Sequence, residues 1–117
     1  TSSGKLLLLD EVTHGREELL EQLEYRAYTP CSIQSSRALR EQLKVIQANG
    51  YATEIEEFFN DVGSLAVPLY DEKGRLLLTI SATFFVKSLP QIKADLLADF
   101  QKAVQTWKQA LRKESIQ

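Results

Sequence analysis

Several residue types are scarce or missing in this 117-residue sequence, and each absence narrows the range of functions. The single cysteine, Cys31, excludes an internal disulfide and favours a reducing compartment. No histidine lies near Cys31 in the sequence, so a catalytic thiol is disfavoured. No apolar run approaches the roughly 20 residues that a membrane span needs, and no signal-peptide pattern opens the chain. We therefore expect a cytoplasmic protein with no membrane partner.

Charge is nearly balanced, with 14 Lys and Arg residues against 16 Asp and Glu residues and a formal net charge of -2. Contacts to phosphates need clustered cations, so a free-standing nucleic-acid binder is disfavoured. Hydrophobic residues make up 44% and charged residues 26%, which is typical of one globular domain with a core. The chain begins at Thr1 and contains no methionine, from which we expect a fragment or a processed chain.

The first 24 residues predict two short helices. Ser2 and Ser3 are favourable N-cap residues, and the helix that they start offers backbone N–H groups that favour an anion. A cap without a ligand is the alternative. A turn is expected over residues 10–15, and Thr13 is expected to cap the second helix.

Residues 25–35 form an expected connector, and residues 36–49 predict a helix with Leu39, Leu43 and Ile46 on one face. Gly50 stands where a left-handed C-terminal cap belongs. A short strand is expected immediately after it, over residues 51–54.

Two apolar runs, residues 63–70 and 75–85, predict a hairpin that turns between Asp71 and Gly74. Because side chains alternate along a strand, Thr79, Ser81 and Thr83 share one face of the second run. Such a face could hold a small polar ligand. The alternative is a solvated face, since threonine is a good strand former.

Three acids, Glu54, Glu56 and Glu57, precede this hairpin. Paired carboxylates can act as acid and base or as metal ligands. A solvated loop is the alternative, and a metal is disfavoured because no histidine completes a ligand set.

A long helix is predicted to open at Ser88, where Ser88 and Gln91 have capping-box spacing. Its apolar stripe runs to near the end of the chain, and Trp107 in that stripe is expected in the core or in a dimer contact. The stripe comprises Ile92, Leu96, Phe100, Val104, Trp107 and Leu111.

Residues at many positions along the chain match the pattern of a known family. They are residues 1–8, 28–30, 50–52, 56–58, 61–71, 74–75, 80–82 and 88–89, which include the runs GYA, EEF, DVGSLAVPLYD and ISA. Together they resemble the effector domain of IclR-type bacterial transcription regulators over essentially all 117 residues. The resemblance implies a GAF-like α/β (α+β) fold, an antiparallel sheet flanked by helices. It also implies that residues 1–117 are a partial effector-binding domain, without the N-terminal winged helix-turn-helix domain and the first strands of the effector domain.

The resemblance further implies where a ligand sits. In the family, a small carboxylate metabolite lies between amides at a helix start and polar side chains of the sheet. The corresponding positions are Ser2 and Ser3 (backbone N–H), Glu54, Ser64, Ser81 and Thr83. This chain departs from the usual pattern, which has Asp at 54, Cys at 64, Gly at 61 and Ser at 83. The departures imply a different ligand, with keto acids, sugar acids and aromatic acids all open.

The resemblance implies a sensing module that is not an enzyme and has no cofactor or metal. It also implies a small carboxylate effector and a homodimer or homotetramer. Contact with DNA is expected only through the missing N-terminal domain. Two alternatives to a sensing module stay open. The chain could be a ligand-free dimerisation or interaction domain. It could also be a small α/β enzyme that uses Glu54, Glu56 or Cys31.

Overall fold

A three-stranded antiparallel sheet separates two helical layers in the computed structural model, which describes the backbone of residues 1–116 and the side chains of residues 1–113. The elements, in chain order, are α1 (Ser2–Thr13), α2 (Leu19–Gln22), α3 (Ser36–Asn49), β1 (Ala52–Ile55), β2 (Val62–Tyr70), β3 (Leu76–Phe85) and α4 (Leu89–Ile116). A single 3-10 turn, Val86–Ser88, leads into α4. The predicted fold class, an antiparallel sheet flanked by helices, is confirmed.

β2 is the central strand, and its two faces contact different helices. The sheet order is β1-β2-β3. Leu65, Val67 and Leu69 project from one face and pack with Val104 of α4. Ala66 projects from the other face into a cluster formed by α1, α2 and α3. This cluster contains Leu6, Leu9, Leu20, Leu39, Leu43 and Ile46.

The prediction for α3 is confirmed. The helix covers residues 36–49, and its three predicted apolar positions are buried. Ser35 caps the start by accepting the N–H of Ala38 at 3.1 Å. Gly50 ends the helix in the left-handed region with φ 80°, where a residue without Cβ meets no steric penalty.

The prediction for the first helix is wrong at both ends. Thr1, rather than Ser2 or Ser3, is the N-cap, since its Oγ1 accepts the N–H of Gly4 at 2.9 Å. The turn expected over residues 10–15 is largely helical, because α1 continues to Thr13. Tertiary packing extends it: Asp10 is buried and accepts the backbone N–H of Leu76 from the sheet at 3.0 Å.

Two further expectations are corrected. Thr13 ends α1 and does not cap α2, which is a single turn with Glu18 in the cap position. Of the two alternatives for Trp107, the core of this chain is excluded, because 53% of the Trp107 surface is exposed; a dimer contact stays a prediction. No helix in the described part of the chain is both long and apolar enough to cross a bilayer.

The packing of α1 can be tested with two adjacent leucines. Leu6 is fully buried, whereas Leu7 is 58% exposed. We expect Leu6→Ala to lower the free energy of unfolding by about 3 kcal/mol, because it leaves a cavity between α1 and the sheet. Leu7→Ala should change it by less than about 0.5 kcal/mol. Urea denaturation followed by circular dichroism measures both, and equal effects would contradict the placement of α1.

Candidate functional site

The start of α1 rests directly on the sheet through a pair of buried serines. Ser2 is 1% exposed and Ser64, on β2, is 9% exposed. The N–H of Ser2 donates to Ser64 Oγ at 3.3 Å, and the Ser64 hydroxyl donates to Ser2 Oγ at 2.7 Å. The predicted helix start and the predicted sheet position are therefore in direct contact.

Three of the predicted residues form one row across the sheet. Ser64 pairs with Glu54 of β1 on one side and with Thr83 of β3 on the other. Side chains at such paired positions lie about 5 Å apart on one face. We call Glu54, Ser64 and Thr83 the polar rung. Ser81 lies two residues before Thr83 on the same face, and both are exposed.

A second hydroxyl contact ties α1 to β3. Thr79 donates its hydroxyl hydrogen to Ser3 Oγ at 2.9 Å. The backbone N–H of Ser3 has no acceptor among the described residues. A helix N-terminus carries a partial positive charge, and no acidic side chain occupies the first turn of α1. We call this helix start, the polar rung and Ser81 the α1–sheet site.

Glu54 is buried and already holds a turn. Its Oε1 accepts the backbone N–H groups of Glu57 and Phe58 at 2.8 and 3.2 Å. No described residue donates to its Oε2. Glu54 thus fixes the loop between β1 and β2 and presents a carboxylate oxygen that accepts hydrogen bonds.

The same loop accommodates a residue that departs from the family pattern. Asp61 stands where the family usually has glycine, and its φ is 64°. Aspartate tolerates this left-handed region better than most residues do. The N–H of Glu56 donates to the carbonyl of Val62 at 2.9 Å, so the loop closes despite the substitution.

Lys5 belongs to the surroundings of the site, and sequence reasoning missed it. Its side chain is 6% exposed, and Nζ lies 2.6 Å from Glu57 Oε2, whose side chain is 13% exposed. Nζ also donates to the backbone carbonyl of Thr53 at 2.8 Å. The signal was present in the spacing, because Ser2, Lys5 and Leu9 fall on one face of α1.

The charges near the site are mixed. One cation, Lys5, lies among two anions, Glu54 and Glu57, and Lys5 is already paired. The helix start and the hydroxyls attract an acceptor, whereas Glu54 attracts a donor. The arrangement therefore offers hydrogen-bond donors at the helix start and a hydrogen-bond acceptor at Glu54.

Cys31, considered from the sequence, and His14, the single histidine, lie apart from this site. Cys31 is exposed, with Sγ 3.9 Å from Glu56 Oε2. His14 lies beyond the opposite end of α1, with Nδ1 2.7 Å from the backbone oxygen of Asp10. Within the described residues, no group of three or more His, Cys, Asp or Glu side chains has an arrangement that could hold a metal ion.

Comparison with known proteins identifies the family. The model of the bacterial transcriptional regulator IclR C-terminal family matches residues 1–112. The chain belongs to this family. The IclR resemblance stated from the sequence is thereby confirmed.

Named relatives are transcription regulators. The regulator KdgR of Dickeya chrysanthemi is 31% identical over 84 residues, which are 72% of this chain and 28% of that protein. XynR of Escherichia coli K12 is 28% identical over 105 residues, 90% of this chain and 40% of that protein. The crystal structure of the C-terminal domain of E. coli KdgR superposes with a TM-score of 0.80 at 26% identity, covering 90% of this chain and 65% of that chain. The chain thus spans well under half the length of these curated relatives.

The buried ion pair beside the site can be tested by a double-mutant cycle. We expect Lys5→Met to lower the free energy of unfolding by about 3 kcal/mol, because it leaves Glu57 charged and nearly buried with the N–H of Ile55 but no counter-ion. Adding Glu57→Gln should recover part of this loss. Chemical denaturation of the single and double variants gives the coupling energy.

The exposed pair Lys44–Glu41, with N···O 3.3 Å and side chains 67% and 66% exposed, is the matched control. Lys44→Met should have little effect, because solvent screens exposed pairs. A Lys5→Met variant as stable as Lys44→Met would show that Lys5 is not buried as described.

Proposed function

We propose that this chain is the effector-sensing part of a cytoplasmic, DNA-binding transcription regulator of the IclR family. The ligand is a small carboxylate that also carries hydroxyl groups, bound at the α1–sheet site. The observation that supports this best is the seating of the α1 N-terminus on the polar rung, which brings anion-binding amides and sheet hydroxyls together.

The carboxylate end of the ligand belongs at the helix start. The N–H of Ser3 and the hydroxyls of Ser81 and Thr83 are available donors on this side of the sheet. Hydrogen bonds to an ionised group are stronger than neutral ones, and the helix dipole adds to them. Ser64 completes the set once the ligand replaces its contact with Ser2.

Glu54 selects the other end of the ligand. An ionised carboxylate accepts hydrogen bonds only, and it repels a second carboxylate. A hydroxyl on the ligand can donate to Glu54 without disturbing Oε1, which stays with the loop N–H groups. Among keto acids, sugar acids and aromatic acids, this chemistry favours hydroxylated acids.

Binding regulates by shifting a conformational equilibrium. A ligand that replaces the Ser2–Ser64 contact acts on α1, which also packs against α3 and all three strands. A change in the population of two states then requires a difference in ligand affinity between them. We place DNA contact in an N-terminal winged helix-turn-helix domain outside residues 1–117.

Self-association is part of this proposal. The outer side of α4 carries Trp107, 53% exposed, and β3 carries Leu77 and Phe85, 52% and 64% exposed. Large apolar side chains at a surface are typical of interfaces. We place a homodimer or homotetramer contact on α4 or at the edge of β3.

The ligand site is tested by removing the two exposed hydroxyls. We expect Ser81→Ala combined with Thr83→Val to weaken binding of an activating acid by about 100-fold, because two bonds to a charged group are lost. The fold should be kept, since both side chains are exposed. A thermal-shift assay with pyruvate, gluconate and benzoate identifies which of these acids binds, because a ligand that binds only the native state raises the stability of that state.

Thr106→Val is the matched control, because Thr106 is an exposed threonine on α4 whose hydroxyl donates to the carbonyl of Lys102. It should leave binding unchanged. An acid that stabilises the Ser81/Thr83 double variant as much as the unmodified chain would place its binding elsewhere.

The role of Glu54 is tested by comparing glycolate with acetate, which differ by one hydroxyl. In Glu54→Gln we expect acetate to bind more tightly, because like-charge repulsion is removed. The preference for glycolate should fall by about tenfold, because a charged acceptor becomes neutral. Calorimetric titration measures both affinities. An unchanged preference would exclude Glu54 from hydroxyl recognition.

A further inference from the structure

A cavity lies at the other end of α1 from the α1–sheet site. Its volume is about 330 Å³, and small-molecule pockets range over roughly 300–1,000 Å³. It is enclosed by the C-terminal half of α1, the end of α3, the end of β2 and the hairpin glycine Gly74. We call this space the distal cavity.

The floor of the distal cavity is apolar. Leu6, Leu9 and Ile46 line it, and all three are buried in the cluster beneath α1 and α3. Pro68 of β2 adds a further apolar wall. A compact hydrocarbon ring or chain seated here removes apolar surface from water.

One wall offers a hydrogen-bond acceptor of fixed orientation. His14 Nδ1 lies 2.7 Å from the backbone oxygen of Asp10. That oxygen can only accept, so the hydrogen bond places a proton on Nδ1; with Nδ1 as the donor, Nε2 is the ring nitrogen that can accept a hydrogen bond from a ligand. No described residue is hydrogen-bonded to His14 Nε2.

The distal cavity offers a charged ligand no permanently charged partner that is free. Neither Lys nor Arg lines it. Asp10 does, but its carboxylate is occupied: Oδ1 accepts the N–H of Leu76 at 3.0 Å and lies 3.5 Å from His14 Nδ1, and Oδ2 lies 3.3 Å from Arg75 Nη2. An anion therefore meets no lysine or arginine here, and a cation meets a carboxylate already paired.

Tyr70 supplies a neutral donor at the rim. Its hydroxyl has no hydrogen-bond partner among the described residues. Burial, and to a smaller extent the charge of Asp10, raises the pKa of Tyr70. The phenol therefore keeps its proton at neutral pH and can donate it to a ligand.

We propose that the distal cavity is a second ligand site, which takes a compact, uncharged molecule with one hydroxyl group. The hydrocarbon part lies on Leu6, Leu9 and Ile46. The hydroxyl donates to His14 Nε2 or accepts from Tyr70. This chemistry is opposite to that of the α1–sheet site, which attracts a carboxylate.

The experiment uses three probes of similar shape and different charge: phenol, benzoate and benzylammonium. Each is titrated into the ¹⁵N-labelled chain, and amide shifts are followed by nuclear magnetic resonance. We expect phenol to shift the amide signals of His14, Gly50 and Gly74, which border the cavity. Larger shifts of these signals with either ion, or none with phenol, would overturn the proposal.

Two variants separate the polar contacts. Tyr70→Phe and His14→Phe should each weaken phenol binding by about three- to tenfold, which is the range for one lost neutral hydrogen bond. Tyr28→Phe, an exposed tyrosine that contacts Phe58 elsewhere, is the control and should change nothing. Unchanged phenol affinity in both Tyr70→Phe and His14→Phe would overturn the proposal.

The Ser81→Ala, Thr83→Val double variant tells the two sites apart. It should bind phenol like the unmodified chain, whether or not the α1–sheet site binds an acid. Loss of phenol binding in this variant would mean that phenol occupies the α1–sheet site, and it would count against a separate distal site.

Discussion

The contact between Ser2 and Ser64 determines how the rest of the structure is arranged. Two small, buried hydroxyls that bond to each other let the helix N-terminus approach the sheet more closely than larger side chains would. This approach places the apolar face of α1 over β2, where Leu6 and Ala66 share one core. It also places the backbone N–H of Ser3, which has no acceptor among the described residues, beside the polar rung. The packing of α1 and the proposed ligand site thus depend on the same two hydroxyl groups.

The loop between β1 and β2 connects that contact to the body of the protein. Glu54 holds the loop from the sheet, and Glu57 holds α1 through Lys5. The connector before α3 is bound to the same loop, since Thr29 and Ser32 donate to the carbonyls of Glu56 and Glu57. Because these bonds are partly buried, the start of the loop is anchored from three sides, whereas residues 58–61 at its tip are exposed. The solvated loop considered from the sequence therefore describes only the tip.

Local patterns predicted α3 and the hairpin, because apolar spacing, Gly50 and the turn at Asp71 each act over a few residues. The alternation along β3 likewise placed Ser81 and Thr83 on the face that α1 covers. The length of α1 could not be predicted, since Asp10 stays helical through its bond to the distant Leu76. Lys5 was missed for the same reason: a lysine is expected in solvent until its partner, Glu57, is known to be nearby.

The central position of β2 makes the sheet unequal in its tolerance of substitution. Residues 63–67 of this strand are buried on both faces, so a change there disturbs two helical layers at once. Ser81 and Thr83 lie on the neighbouring strand and are exposed. Side chains on the open side of β3 can therefore be exchanged at little cost to folding, whereas an exchange in the middle of β2 forces both helical layers to repack.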